Sequence, residues 1–124
     1  MSNLSKIILK ADRLASQVVK ERDKWICQKC GKKLNKDNAQ CSHVISRKNK
    51  ALRHDLNNLK TLCKDCHDNW WHKRPKESAL WFALKFPERF KYLEIEKHKI
   101  KRYRKADYEN IINTFIKIMK EYNE

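Results

Sequence analysis

Glycine and proline are scarce in this chain, whose 124 residues include one glycine and two prolines. Flexible linkers are rich in glycine and serine, so this scarcity argues against a linker that divides the chain. No apolar run approaches the roughly 20 residues that cross a bilayer, and the polar start of the chain lacks the apolar segment of a signal peptide. We therefore expect a single domain over residues 1–124, located in the cytoplasm without contact to a membrane.

Acidic residues are also few: 15 Asp and Glu stand against 30 Lys and Arg, which gives a formal net charge of +15. An excess of this size favours a polyanionic partner, and nucleic acid is the commonest one. Charge alone leaves ribosomal binding or binding to a membrane surface equally open.

Five cysteines are present, and in a reducing cytoplasm they are more typical of metal ligands than of disulfides. Four of them form two Cys-x-x-Cys pairs, Cys27 with Cys30 and Cys63 with Cys66, separated by 32 residues (31–62). Each short turn directs two thiolates at one point, and the second pair completes a tetrahedral shell. The spacing predicts one structural Zn²⁺ bound by all four. The fifth, Cys41, is interpreted as a small apolar residue of a strand.

Hydrophobic periodicity predicts an α+β fold that is rich in helix. A helix over residues 4–22 precedes a zinc-bearing core at 25–73, and further helices over 75–123 follow it. Within the core, strands at 40–45 and 58–62 and a short helix at 64–73 give the order strand, loop, strand, helix.

Three residues inside this frame are typical of a catalytic group: His43, Asn58 and His67, the last directly after a cysteine pair. Their order resembles the HNH group of His–metal-finger nucleases, whose core is a ββα-metal unit. The nearer resemblance is to phage recombination endonucleases of the NinG (Rap) type, which act on branched DNA. It covers roughly residues 12–95 and is carried by these segments: Arg22-Asp-Lys-Trp-Ile-Cys-Gln-Lys-Cys-Gly-Lys, Cys41-Ser-His, Arg47, Arg53 with Asp55, Asn58, Leu62-Cys-Lys-Asp-Cys-His67, and Pro75 followed by Trp81.

The resemblance implies a role for each of the three. His43 would be the general base, since a pKa near 6.5 leaves a neutral imidazole available. Asn58 would hold the loop between the strands, and His67 would bind a catalytic Mg²⁺ or Mn²⁺. The expected function is that of a metal-dependent endonuclease, which hydrolyses phosphodiester bonds in branched DNA of the Holliday-junction type, encoded by a phage and active in the bacterial host. The alternatives are a catalytically inactive zinc-ribbon module that binds nucleic acid and a restriction-type HNH nuclease.

A second protein ligand for the catalytic ion is left open by the sequence. Many HNH nucleases carry Asp or His directly before the base, where this chain has Ser42, a weak ligand. His72 is the other candidate. Five residues after His67 on an α-helix, it would lie about 140° around the axis, which is a poor position for a shared ion unless the helix ends first.

Two basic groups are the candidate DNA-binding residues. One follows the first strand and the other lies in a run with six Lys and Arg among nine residues, 97–105. The residues are Arg47, Lys48, Lys50 and Arg53 in the first group and Lys99, Lys101, Arg102, Arg104 and Lys105 in the second.

The apolar stripes at the two ends of the chain, residues 4–19 and 108–122, allow two arrangements. Both can pack against the zinc-bearing core, or the face with Ile111, Phe115 and Met119 can pair with a second chain. Because a four-way junction is resolved by two opposed cuts and a two-fold enzyme offers a site to each, we predict a homodimer.

The zinc assignment is directly testable. Cys63→Ala is expected to give an unfolded or aggregated chain, because the free energy of metal binding becomes folding free energy in small sites. Elemental analysis of the wild type should give one zinc per chain. Native zinc content in the Cys63→Ala protein would contradict the assignment.

Overall fold

A computed structural model describes all 124 residues. The chain forms four α-helices, two strands, a 3₁₀ turn and a π-helical turn. In order these are α1 (Asn3–Arg22), β1 (Ala39–His43), the 3₁₀ turn (Leu56–Asn58), β2 (Leu59–Cys63), the π-helix (Cys66–Trp71), α2 (Pro75–Lys85), α3 (Pro87–Glu96) and α4 (Lys105–Tyr122). The α+β class and its richness in helix agree with the sequence prediction. Asn58, predicted to begin the second strand, closes the 3₁₀ turn before it.

The two strands form an antiparallel hairpin in which Ala39 lies opposite Cys63 and His43 opposite Leu59. All five residues of β2 are buried, because both faces of the hairpin are covered. Leu59 packs against α1 on one face, while Leu62 packs against Trp71 and Phe82 on the other. The hairpin is therefore the central layer between α1 and the π-helix with α2.

Helix α1 and helix α4 pack against each other at the outer face of the hairpin. Val18 and Val19 of α1 form a cluster with Leu59 and with Phe115 of α4, all at most 4% exposed. Ile111 and Met119 lie against the same cluster. The α4 face on which the dimer prediction depended is thus covered by α1 within one chain.

The helices α1 and α3 also hold the start of β2 through arginines. Arg22 donates to the carbonyl oxygens of Leu56 and Leu59, at 2.7 and 2.6 Å. Arg89 of α3 donates to the same Leu59 oxygen at 2.8 Å. The turn that leads into β2 is therefore fixed from two sides.

None of the helices has the length and apolar character that a membrane crossing requires.

Candidate active site

The four cysteines of the two Cys-x-x-Cys pairs converge at one end of the hairpin. Their sulfur atoms all lie within 4.8 Å of one another, and the Cys30 and Cys63 sulfurs are 3.9 Å apart. When two thiolates bind the same zinc ion in a tetrahedral site, each at about 2.3 Å, their sulfur atoms lie about 3.8 Å apart. The donor set and its spacing therefore fit structural zinc.

Backbone N–H groups donate hydrogen bonds to sulfur atoms of this cluster. The Cys66 N–H donates to the Cys63 sulfur at 3.3 Å. Although burial opposes ionisation, hydrogen bonds from the backbone of Cys30, Cys63 and Lys29 lower the pKa of Cys27 to about 7. Thiolate is the form that binds metal, so these bonds favour the ligand state of Cys27, whereas burial raises the pKa of Cys30 and of Cys66. Gly31 follows the first pair with φ of +78°, a conformation that glycine adopts at little cost.

A cleft of about 520 Å³ opens beside the hairpin and the π-helix. We call it the histidine cleft, because three of the five histidines line it. Its lining residues are Cys41, His43, Val44, Ser46, Arg47, His67, Trp71 and His72. Two of the three predicted catalytic residues, His43 and His67, are therefore in one concave site, although 23 residues separate them in sequence.

His43 is held with one ring nitrogen committed. Its Nε2 is 3.1 Å from the carbonyl oxygen of Arg53. A carbonyl only accepts, so Nε2 carries the proton and Nδ1 keeps a free lone pair. Burial lowers the pKa of His43 below its ordinary value, against the opposing effect of the Arg53 carbonyl. The imidazole is therefore neutral at pH 7.

The carbonyl that orients His43 is itself fixed by α1. Asp12 accepts two hydrogen bonds from the Arg53 guanidinium, at 2.9 and 2.6 Å, and a third from His54 at 2.7 Å. Burial raises the pKa of the Asp12 carboxyl, but the bonds from His54 and Arg53 outweigh it and hold that pKa far below its usual range. Arg53, predicted to bind DNA, thus has its side chain engaged in an internal ion pair.

Sequence reasoning missed Asp12, although a signal was present. Ile8, Asp12, Ala15 and Val19 share one face of α1 by helical spacing. An acid on the apolar stripe of a basic helix indicates a buried partner, since an unpaired buried charge is costly.

Asn58 organises the 44–58 loop that joins the strands. It is fully buried, and its side-chain oxygen accepts from the Ile45 N–H at 2.7 Å. Its amide donates to the carbonyl oxygens of Ile45 and Leu52, at 2.9 and 3.1 Å. One side chain thus satisfies three backbone groups at both ends of the segment that carries Arg47. Asn58 does not line the histidine cleft.

His67 and His72 meet on one side of the π-helix. Their Nε2 atoms are 3.1 Å apart, and the rings stand edge to face at 84°. The sequence prediction of poor placement was wrong because it assumed an α-helix. In a π-helix the hydrogen bonds run from residue i to i+5, and the His72 N–H accordingly donates to the His67 carbonyl at 3.3 Å. His72, at position i+5, is therefore brought over His67.

The two Nε2 atoms are within hydrogen-bond distance of each other, and the same spacing fits two ligands of a single metal ion. Two imidazole nitrogens bound at about 2.1 Å to one ion are about 3 Å apart at near-right angles. Burial lowers the pKa of His67, which favours the neutral ligand form. Asp68 lies 3.2 Å from the other ring nitrogen, Nδ1, as metal-bound histidines commonly require of a carboxylate.

Ser42, the second candidate ligand, is directed elsewhere. It is 1% exposed, and its hydroxyl accepts a hydrogen bond from Lys60 Nζ at 3.1 Å. Lys60 is fully buried, with its nitrogen 3.1 Å above the centre of the Trp71 ring. Burial lowers the pKa of Lys60 well below its usual value. The structure therefore does not bring Ser42 to the His67–His72 pair; instead a buried lysine covers it.

The two predicted DNA-binding groups approach each other. Arg47 lines the histidine cleft, and Lys48 and Lys50 are exposed beside it. Asn49, between these lysines, donates to the carbonyl oxygen of Lys97 at 3.0 Å, where the second basic run begins. The five residues of the second DNA-binding group are all exposed: Lys99, Lys101, Arg102, Arg104 and Lys105.

Comparison with known proteins finds one family. The family model described as HNH endonuclease matches residues 27–70. The matched segment begins at the first cysteine of the zinc cluster and contains His43, Asn58 and His67. It supports the HNH family for this core and suggests a nuclease. No curated protein and no solved structure gives a significant match to the chain.

Removal of the Asn58 side chain should release the loop. In Asn58→Ala the partners on Ile45 and Leu52 are left unsatisfied, so the free energy of unfolding should fall by about 2–4 kcal/mol. Trypsin should then cut faster after Arg47, Lys48 and Lys50. The exposed neighbour Asn57 provides the control, since Asn57→Ala should change stability by less than about 0.5 kcal/mol. Equal stability of the two variants would contradict the role given to Asn58.

Proposed function

We propose that this protein is a metal-dependent DNA endonuclease of the HNH type, in which His43 is the general base. The observation that carries the proposal is that three histidines line one cleft. One of them is suited to accept a proton, and the other two are suited to bind a metal ion. His43 keeps a free lone pair because its other nitrogen is bonded to Arg53. His67 and His72 present two nitrogens at the spacing of ligands to one ion.

The reaction is the hydrolysis of a phosphodiester. His43 Nδ1 takes a proton from a water molecule, and the water oxygen forms a bond to phosphorus as the bond to the 3′ oxygen breaks. Arg47, exposed at the cleft with no acidic partner, is placed to bind the phosphate. Asn58 and Asp12 act as positioning residues, the first on the loop and the second through Arg53.

His67 and His72 would hold the catalytic cation. Such an ion neutralises charge on the phosphate and on the leaving oxygen. Both ions suit oxygen ligands, but Mg²⁺ gives up its bound water reluctantly, whereas Mn²⁺ belongs to the series of transition metals that bind nitrogen ligands. Of the two cations predicted from the sequence, the pair of histidines therefore favours Mn²⁺ over Mg²⁺. The cysteine cluster would hold a separate, structural zinc.

We propose DNA as the substrate and, more narrowly, branched DNA of the kind that forms during recombination. The charge of +15 and the continuity of the two basic groups through Asn49 support a nucleic acid. Branched-DNA specificity and origin from a phage rest on the resemblance to the NinG type. Action as a homodimer rests on the two opposed cuts that a junction needs, because the α4 face that could pair two chains is covered by α1. The alternative of an inactive DNA-binding module is favoured by Ser42, which stands where many HNH nucleases have a metal ligand.

His43→Ala tests the proposal. The variant should retain its zinc and its affinity for DNA but lose cleavage by about 100-fold or more, the usual contribution of a general base. The assay compares duplex, flap and four-way-junction DNA with Mn²⁺ or Mg²⁺, and His98→Ala serves as a control on an exposed histidine. Cleavage at the wild-type rate by His43→Ala would refute the mechanism. Absence of cleavage by the wild type on all three substrates would favour the binding module.

The pH dependence of cleavage should reflect the environment of His43. A base acts when unprotonated, and burial places the pKa of His43 below 6.5. The midpoint of the acid limb of the single-turnover rate, measured at saturating metal, should therefore lie below pH 6.5. A midpoint of the acid limb above 6.5 would contradict this assignment.

A further inference from the structure

A second cavity, of about 250 Å³, adjoins the histidine cleft. We call it the side pocket. Val44, Trp71 and His72 line both concavities, so the two are separated only by these side chains. The side pocket continues from there to α2 and α3, where its walls include Ala79, Phe90 and Glu94. Nothing in the proposed hydrolysis uses it.

The walls suit a flat aromatic group. Seven of the eleven lining residues are hydrophobic, and its floor is formed by buried Trp71, Phe82 and Leu93. Ligand pockets for drug-sized molecules are typically 300 to 1,000 Å³, so this smaller cavity suits one ring system. Proteins that hold an unpaired base stack it on aromatic or apolar side chains.

The polar groups of the side pocket reject phosphate and accept N–H donors. Glu94 is its only acidic lining residue, and one carboxylate oxygen accepts from Lys97 Nζ at 2.7 Å. The other oxygen remains available as an acceptor. Ser78 is already directed at the carbonyl oxygens of Trp71 and Pro75, each at 3.2 Å. A carboxylate repels the DNA backbone but pairs with the exocyclic amine of cytosine.

We propose that the side pocket receives one unpaired nucleobase of the strand bound in the histidine cleft, with cytosine or adenine preferred over thymine. This inference rests on the proposed function, because the cleft must first bind a DNA strand. Thymine offers only its N3–H as a donor, and the two carbonyl oxygens that flank this group would lie close to the Glu94 carboxylate, whereas cytosine and adenine offer an exocyclic amine. The consequence is a substrate class: DNA with an unpaired nucleotide next to the scissile phosphate, as occurs at bulges and branch points.

Binding of bulged duplexes tests the proposal. The probes are duplexes with a single bulged cytosine, a bulged thymine, a bulged abasic site or no bulge, and affinity is measured by fluorescence anisotropy without added Mg²⁺ or Mn²⁺. The wild type should bind the cytosine bulge about tenfold or more tightly than the abasic bulge, the scale expected for one stacked base. Ala79→Leu, which narrows the pocket mouth, should reduce this ratio to near one. Glu94→Gln should reduce the preference for cytosine over thymine.

Ala106→Leu is the matched control, because Ala106 is an exposed alanine on α4 that does not line the side pocket. It should keep the wild-type ratio. Equal affinity of the wild type for cytosine and abasic bulges would overturn the proposal, and this comparison decides the matter even if Ala79→Leu fails to fold. An unchanged ratio in folded Ala79→Leu would overturn it too.

Cleavage of the same duplexes separates the two proposals. If the wild type prefers the cytosine bulge but cuts neither these duplexes nor flap or four-way-junction DNA with Mn²⁺ or Mg²⁺, the nuclease proposal fails and the side pocket stands. If it cuts all of them with no preference among the bulges, the side pocket fails and the nuclease proposal stands.

Discussion

Convergence of four thiolates on one point is the constraint on which the rest of this structure depends. The cysteine cluster closes a segment of 32 residues whose own apolar content is small. Within that segment the hairpin is only two strands wide, and an isolated hairpin is marginally stable in water. A metal held by the cluster would join the chain before β1 to the chain after β2, and would thereby support a hairpin that is otherwise held by the two apolar clusters on its faces.

The positions of the residues around the histidine cleft depend on hydrogen bonds to backbone carbonyl groups. Asn58 bonds both ends of the loop, Arg22 and Arg89 share the Leu59 oxygen, and Arg53 contributes its own carbonyl to His43. Asp12 links this last contact to α1. Because buried carbonyls without a partner are costly, these bonds fix one loop conformation. The flanking helices thereby act on the geometry of the base.

The sequence was sufficient for the elements and the cysteine cluster, since periodicity and Cys-x-x-Cys spacing are local signals. It failed where tertiary contacts or an unusual helix geometry determine the position of a side chain and its partners. His72 was judged to be misplaced because 3.6 residues per turn were assumed, whereas the chain forms a π-helix there. Arg53 was interpreted as a DNA contact because its partner Asp12 lies 41 residues away. Burial of Lys60 against Trp71 and Ser42 was equally invisible in a pattern of short strands.

The central claim is that one chain holds two metal sites of different chemistry, a thiolate site for structure and a two-histidine site for catalysis. Titration of Mn²⁺ into zinc-loaded protein, followed by electron paramagnetic resonance, tests it most directly. The account predicts one bound Mn²⁺ per chain in the wild type, and loss of that binding in His67→Ala and in His72→Ala with the zinc retained. Mn²⁺ binding that is unchanged in both variants, or absent from the wild type, would contradict it.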